Sequence, residues 1–222
     1  MSRGHFFNLG HVKREKRLKC AVIMVWSPEN PGSHNLVVSR IFLESDRSAV
    51  LLIDVQPTFL NGMWEAPRVL RRCEFLLRAA SSLGVPTFAS VQNSERMGGL
   101  DDSLKPLVAS VFNKHSFSCL GSADIAAHLI DSGRNQILLV GIETHICVGL
   151  TANELLQAGY EVAVCPDAVS AGSMEMHKLG MERVRDAGAV PVHSEGAVYE
   201  WMRSSNHPKF REVLSLVKSF RT

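Results

Sequence analysis

Six short apolar runs, separated by amphipathic or breaker-rich stretches, constrain the fold of this sequence most strongly. They have the length of strands, and their near-continuous apolar character is typical of strands covered on both faces. In chain order they are AVLLID (49–54), PTFASV (86–91), ASVFNK (109–114), QILLVG (136–141), EVAVCP (161–166) and AVPVHS (189–194). Because a sheet covered on both faces needs helices between its strands, the pattern predicts repeated strand–helix units.

The chain between the runs carries the expected helical signals. Apolar residues recur at the spacing of one helix face at positions 66, 69, 70, 73, 76, 77 and 80. The stretch SLGVP (82–86) then supplies the Gly and Pro that end a helix, and HPKFREVLSLVKSF (207–220) predicts a final packed helix. The predicted fold is α/β: a three-layer, Rossmann-like arrangement with a six-stranded, mostly parallel sheet between helices.

Length and charge divide the chain into two parts. The 222 residues are 45% hydrophobic and 21% charged, which suits one α/β domain with a buried core. The first 20 residues carry six Lys/Arg against one Glu, and this local +5 within a total of +2 leaves −3 for the other 202. Since SPENPGSHN (27–35) is breaker-rich, we predict a poorly packed basic extension and linker over 1–44 and a folded domain over 45–222.

The basic extension has other interpretations. An arm for nucleic acid or a membrane surface would interleave basic and aromatic residues, which this segment does not do, so we predict neither partner. A mitochondrial leader is compatible with a segment rich in Arg and Lys and poor in acids. No apolar run in the sequence approaches the roughly 20 residues that cross a bilayer.

The cysteines indicate the redox environment. There are five, an odd number without a CxxC motif or a close His/Cys cluster, at positions 20, 73, 119, 147 and 165. Neither a disulfide framework nor a zinc site is indicated. We therefore expect a reducing compartment, a cytoplasmic protein, and no metal or other cofactor.

Three chemically active side chains fall where predicted strands end. Asp54 closes the first run, Lys114 closes the third, and Cys147 follows the fourth in GIETHICVGL (141–150). Singly, each has an ordinary explanation as a cap, a solvated end or a small buried residue. In open α/β sheets, however, ligands bind outside the carboxyl ends of the strands. We therefore predict that these three side chains meet in one site.

Their chemistry is complementary. A thiol becomes a nucleophile when its pKa falls, and both the Lys114 ammonium and a helix N-terminus would lower the pKa of Cys147. Asp54 could accept the thiol proton and later return it to a leaving nitrogen. Backbone N–H groups of the turn 143–147 would face the developing oxyanion. The pattern predicts hydrolysis through a thioester.

On these residues the chain from about Ala49 to Phe220 resembles the isochorismatase-like cysteine hydrolases, a superfamily that includes nicotinamidases and N-carbamoylsarcosine amidohydrolase. Three motifs match in order: LLIDVQ with Asp54, NKHSFS with Lys114 and GIETHICV with Cys147. Lesser matches make the chain look most like the YcaC-type branch, and they are DAVSAGS (167–173), AGAVPVHSE (187–195) and HPKF (207–210).

The resemblance implies an Asp-Lys-Cys catalytic triad, a cis peptide between Ile142 and Glu143, and an oxyanion hole formed by the amides of Glu143 and Cys147. True isochorismatases typically lack the cysteine, so its presence points to a C–N or other acyl bond. Nicotinamidases add an Asp/His metal site in the loop after the second strand, but here QNSERMGGLDD (92–102) has no histidine. The resemblance also implies a homo-oligomer.

The substrate pocket is predicted from position alone. Gln56 and Phe59 follow Asp54 in the first loop and Gln92 begins the second, so we expect all three to line a pocket for a small molecule. Two other function classes stay open. One is a thiol redox or stress-response protein in which Cys147 is oxidised and Cys119 approaches it in space. The other is a noncatalytic scaffold, which the complete triad disfavours.

Overall fold

A computed structural model describes residues 41–221, and within them one parallel six-stranded sheet forms the centre of the domain. The strands are β1 (Ser48–Ile53), β2 (Thr87–Gln92), β3 (Ser110–Lys114), β4 (Gln136–Ile142), β5 (Glu161–Ser170) and β6 (Val190–Pro191). Their order across the sheet is β3-β2-β1-β4-β5-β6. The six predicted strands are therefore confirmed, and the order reverses between β1 and β4.

Helices cover both faces of this sheet. They are α1 (Pro57–Leu60), α2 (Ala66–Ser82), α3 (Ser94–Met97), α4 (Ala123–Asp131), α5 (Gly149–Gln157), α6 (Met174–Asp186), α7 (Ser194–Met202) and α8 (Phe210–Phe220). Short 3-10 turns span Lys105–Leu107 and Cys119–Gly121, and a π-helical turn spans Thr144–Val148 immediately before α5. No helix among residues 41–221 is long and apolar enough to span a bilayer.

The strands bury side chains in two separate cores, as the near-continuous apolar runs predict. On β1, Val50 and Leu52 contribute to a core shared with α2, α7 and α8. Leu51 and Ile53 alternate with them and contribute to a second core shared with α4, α5 and α6. The period-2 alternation of a strand thus gives one core on each face of the sheet, and the predicted three-layer α/β fold is confirmed.

The last two strands differ in length from the apolar runs that predict them. β5 continues beyond Pro166 to Ser170, and its register against β4 shifts between Leu139 and Gly141. Because proline has no N–H for the ladder, a register irregularity accommodates it within the strand. β6 is only two residues long because α7 begins at Ser194, so most of the predicted run AVPVHS forms the connection instead.

The strands β1 and β4 approach each other closely where the site forms. Gly141 pairs with Ile53 and has φ +109°, and a Cβ at position 141 would lie 2.1 Å from the Ile53 carbonyl oxygen. Only glycine fits this contact and this backbone conformation. The ends of the two central strands are therefore held side by side.

Packing begins slightly before the predicted domain start. Leu43 is buried, and its N–H donates to Glu200 Oε2 at 2.7 Å. The Glu44 N–H donates to Gln136 Oε1 at 2.8 Å. Residues 43 and 44 therefore pack with the domain at the amino ends of β1 and β4. The domain boundary at residue 45 stays a prediction, as does the poor packing of the preceding extension, most of which lies outside the described residues.

Two truncated chains distinguish the contribution of the extension to stability from that of the packed residues 43 and 44. A chain that begins at residue 41 is expected to unfold cooperatively with the same free energy of unfolding as the full chain. A chain that begins at residue 45 should still fold but lose about 2–5 kcal/mol, because it loses buried Leu43 and its backbone hydrogen bonds. Denaturant unfolding followed by circular dichroism measures both. Loss of the cooperative transition in the chain from residue 41 would mean that the extension forms part of the core.

Candidate active site

The carboxyl ends of β1, β3 and β4 bring the three predicted residues together. Lys114 Nζ lies 2.7 Å from Asp54 Oδ2, and Asp54 and Cys147 line the same cavity. All three are buried: the exposed fractions are 2% for Asp54, 1% for Lys114 and 8% for Cys147. The site lies beside the point where the strand order reverses, which is where open α/β sheets bind ligands.

Asp54 is held by its neighbour on β2 as well as by Lys114. Its Oδ1 accepts a hydrogen bond from Ser90 Oγ at 2.7 Å, and its N–H donates to the Ser90 carbonyl at 3.0 Å. The residue adopts φ +53°, a left-handed conformation that aspartate tolerates better than most side chains. Ser90 was not anticipated from the sequence, although it pairs with Ile53 in the strand register and so adjoins Asp54.

Lys114 donates only to protein acceptors. Besides Asp54, its Nζ lies 2.6 Å from Gln92 Oε1 and 3.2 Å from each of the Ser116 and Phe117 carbonyl oxygens. Four acceptors surround the three N–H donors of the ammonium. The buried ammonium therefore has acceptors from the protein for all of its N–H groups, and one of these acceptors is the Asp54 carboxylate.

Cys147 lies in the π-helical turn Thr144–Val148, which follows β4 directly. The peptide bond between Ile142 and Glu143 is cis, as expected from the resemblance. The Glu143 carbonyl accepts hydrogen bonds from the N–H groups of Ile146 at 3.0 Å and Val148 at 3.1 Å. The turn is thus closed around its own backbone, and it presents the thiol at the edge of the sheet.

The predicted acidity of this thiol is wrong. Burial is the largest influence and the Asp54 carboxylate the next, and together they raise the pKa of Cys147 to about 12. The Lys114 ammonium lowers that pKa, as predicted, but it is outweighed because its charge is already shared with Asp54. The resting thiol is therefore protonated near neutral pH. It needs a base to remove its proton as it reacts, and Asp54 is the carboxylate that lines the same cavity.

A cavity of about 80 Å³ opens over the thiol, and its lining is mostly apolar. The lining residues are Asp54, Phe59, Gln92, Phe117, Ile142, Glu143, Ile146 and Cys147. Phe59 and Gln92 lie where the sequence predicts them. A larger open cleft of about 640 Å³ lies between α2 and α8, away from these side chains.

Gln56 does not line the cavity, contrary to the prediction from its position in the sequence. It is fully buried, and its Nε2 donates to the carbonyls of Gln92 at 3.1 Å and Gly98 at 2.7 Å. Its Oε1 accepts from the Gln92 N–H at 2.6 Å. An amide that satisfies three backbone groups in this way fixes the chain after β2, so Gln56 positions Gln92 instead of facing a ligand.

The turn that carries Cys147 is supported from behind by α6, a contact that the sequence analysis did not predict. A Cβ at Gly180 would lie 2.9 Å from the backbone nitrogen of His145, so only glycine allows this approach. On the same helix, His177 Nδ1 lies 3.0 Å from Thr144 Oγ1. Burial, with the nearby Arg68 charge, lowers the pKa of His177 and favours its neutral form. A glycine within the helical stretch Met174–Asp186 is the sequence signal that could have indicated this contact.

Trp64 and Cys119 both pack against other parts of the domain. Trp64 donates its backbone N–H to the Ala171 carbonyl at 2.8 Å and packs its ring 5.5 Å from that of His177. Cys119 is buried with its Sγ 3.5 Å from Ser90 Oγ, and burial raises its pKa to about 11. Within the described part of the chain, no three His, Cys, Asp or Glu side chains lie close enough together to bind a metal ion.

Comparison with known proteins identifies the family. The family model for the isochorismatase domain matches residues 48–196. The secreted isochorismatase effector Isc1 of Phytophthora sojae is 31% identical over 77% of this chain and 84% of its own length. Isochorismatase domain-containing protein 2 of Xenopus laevis is 32% identical over 80% of this chain and 87% of its own. The chain belongs to the isochorismatase family of hydrolases.

Solved structures support the same assignment. The MAR1 ribonuclease from Caenorhabditis elegans is 30% identical, with a TM-score of 0.76 over 80% of this chain and 93% of its own. The YcaC gene product from Escherichia coli, described as an octameric hydrolase of unknown specificity, matches with a TM-score of 0.71 over 81% of this chain and 98% of its own. At 21% identity this second likeness shows the fold. The predicted resemblance to isochorismatase-like proteins, including the similarity to YcaC, is confirmed.

The raised pKa of Cys147 gives a prediction about alkylation. Its reaction with iodoacetamide should accelerate about tenfold per pH unit up to at least pH 10, because the thiolate fraction grows at that rate below the pKa. Asp54→Asn removes a carboxylate that raises the pKa, so alkylation at pH 8 should become about 10-fold faster or more. Mass mapping of the labelled peptide measures both rates.

A matched variant isolates the charge effect. Ser90→Ala removes a hydrogen bond to Asp54 but keeps its carboxylate, so we expect alkylation of Cys147 to change by much less than in Asp54→Asn. If Asp54→Asn leaves the rate unchanged or lowers it, the carboxylate does not hold the thiol in its protonated form.

Proposed function

We propose that the protein is a cysteine hydrolase that cleaves a C–N bond of amide or carbamoyl type in a small molecule. Cys147 is the nucleophile, Asp54 the general acid–base, and Lys114 the cation that holds and neutralises Asp54. The observation that carries the proposal is that the Cys147 thiol and the Asp54 carboxylate line one cavity, and that this carboxylate is paired with a buried ammonium. This arrangement supplies a nucleophile, a base and a positioning charge in one site.

The first half of the reaction forms a thioester. Asp54 accepts the thiol proton while Sγ attacks the substrate carbonyl carbon, so an unfavourable free thiolate is avoided despite the high pKa of Cys147. The backbone N–H groups of Glu143 and Cys147 are proposed to stabilise the resulting oxyanion. Collapse of the tetrahedral intermediate breaks the C–N bond, and protonated Asp54 donates its proton to the leaving nitrogen.

The second half restores the enzyme. A water molecule transfers a proton to Asp54 as its oxygen attacks the thioester carbonyl. The C–S bond then breaks, the acid product leaves, and the proton returns from Asp54 to the sulfur. Throughout both halves Lys114 stays paired with Asp54, so the carboxylate remains aimed at Sγ. The products are a carboxylic or carbamic acid and an amine or ammonia.

Two other activities fit the residues less well. The name of the Caenorhabditis elegans relative suggests ribonuclease activity as an alternative. However, the 202 residues after the first 20 carry a net charge of −3, whereas proteins that bind polyanionic RNA usually present a basic surface. A redox role for Cys147, with Cys119 as partner, is disfavoured because peroxide-reactive thiols have low pKa values and both of these are raised.

We propose a homo-oligomer in which a second copy packs near the mouth of the cavity. A large apolar side chain is exposed at this mouth, Phe117 at 59% in the cavity lining. Exposed apolar surface of this kind is typical of protein interfaces. A cytoplasmic location and the lack of a metal or other cofactor stay predictions.

A substrate screen tests the function. Small amides, ureido compounds and carbamoyl compounds are incubated with the protein and scored by ammonia release. Cys147→Ser is expected to lose turnover while keeping its fold, because a hydroxyl is nearly isosteric but far less readily ionised. Asp54→Asn should bind substrate yet lower kcat by about 100-fold to 10,000-fold.

Controls in the same assay separate the alternatives. Cys119→Ala should retain turnover if hydrolysis is the function, whereas a disulfide-based cycle would be abolished. Exhaustive chelation should leave activity unchanged, and loss that added zinc or iron restores would support a nicotinamidase-like metal site. Full turnover by Cys147→Ser would eliminate the proposed nucleophile.

A further inference from the structure

The cavity over Cys147 is lined by apolar and acidic residues. Phe59, Phe117, Ile142 and Ile146 form its apolar walls, while Asp54 and Glu143 are its acidic members. Among the described residues that line it there is no Arg, Lys or His. Any ligand that reaches Sγ therefore meets mostly hydrocarbon and no cationic side chain of this part of the chain.

The nearby groups that could pair with an anion are already used. Lys114 is the cation that acts on the thiol, and its Nζ is surrounded by Asp54, Gln92 and two carbonyl oxygens. The Gln92 side chain accepts from Lys114 and donates its Nε2 to the His115 carbonyl at 2.8 Å. Lys114 therefore has no N–H left for a substrate carboxylate, and Gln92 keeps one uncharged amide N–H.

We infer that the site selects short, uncharged acyl groups and rejects substrates that carry a carboxylate next to the scissile carbonyl. This inference rests on the proposed function, because it names the substrate class of the same site. A cavity of about 80 Å³ lies far below the 300–1,000 Å³ typical of drug-sized ligands, so the acyl part must be short. A carboxylate held there would lose its water without gaining a partner.

This site differs from those of enzymes that hold an anionic substrate with a free Arg or Lys. Such sites place an uncommitted guanidinium or ammonium in the pocket, where it pairs with the substrate charge. Here the buried Lys114 ammonium is paired with Asp54, and this ion pair keeps the base in position. The arrangement that supports the chemistry therefore also sets its preference for neutral substrates.

A pair of alkylating agents tests charge selection without relying on turnover. Iodoacetamide and iodoacetate are similar in size, and one is neutral while the other is an anion. The ratio of their rates at Cys147 is compared with the ratio for a small free thiol at the same pH. We expect Cys147 to favour iodoacetamide by about 100-fold more than the free thiol does, since the anion must approach Asp54 closely. An equal ratio, or a preference for iodoacetate, would overturn the inference.

A charge placed at the mouth should reverse the selection. Phe117 lines the cavity and is 59% exposed in a single copy of the chain, so a longer polar side chain there places its charge at the entrance. Phe117→Arg should reduce the preference for iodoacetamide by about 10-fold or more, because the guanidinium attracts the anion. Phe117→Leu is the matched control and should keep the wild-type ratio. If the two variants behave alike, charge does not determine access to the site.

Turnover of two amides of the same shape connects the inference to hydrolysis. Isovaleramide carries an isopropyl group at the position where malonamate carries a carboxylate. We expect kcat/KM to favour isovaleramide by about 100-fold or more in the native protein, and by less in Phe117→Arg. Equal hydrolysis of the two amides would overturn the charge selection and leave the hydrolase proposal intact. Failure to hydrolyse any amide in the screen would instead overturn the hydrolase proposal, while the alkylation ratio still decides the charge selection.

Discussion

The buried ion pair between Asp54 and Lys114 is the interaction on which the rest of the site depends. Burying two charges costs free energy that their attraction only partly returns, and an apolar pair of similar size is often as stable. The pair is tolerated because Ser90, Gln92 and two loop carbonyls satisfy its remaining hydrogen bonds. Its consequence is chemical: a carboxylate is fixed beside the Cys147 thiol.

The fold brings this pair to the thiol through close contacts between its central elements. Gly141 lets β4 approach β1, so the residues that follow these strands are neighbours. Gly180 lets α6 approach the turn behind Cys147, and the contact between His177 and Thr144 adds a hydrogen bond there. Each contact requires a small or polar side chain inside an apolar layer, and each limits the movement of the nucleophile relative to its base.

The sequence predicts the fold and the three central residues because both follow from local patterns. Continuous apolar runs indicate buried parallel strands, and the strand ends locate Asp54, Lys114 and Cys147. The thiol pKa could not be predicted this way, because it depends on how burial and Asp54 compare with Lys114 in three dimensions. Gln56 was misassigned for a similar reason: its position suits a pocket, but its hydrogen bonds to Gln92 and Gly98 turn it inward.

The central claim is that Cys147 carries the acyl group between the two halves of the reaction. Rapid acid quenching during turnover of a good amide, followed by mass spectrometry of the peptides, tests it most directly. The account predicts the added mass of the acyl group on the Cys147 peptide and its removal by hydroxylamine, as expected for a thioester. Turnover at full rate with that peptide unmodified, or with the acyl group on Cys119 instead, would contradict the account.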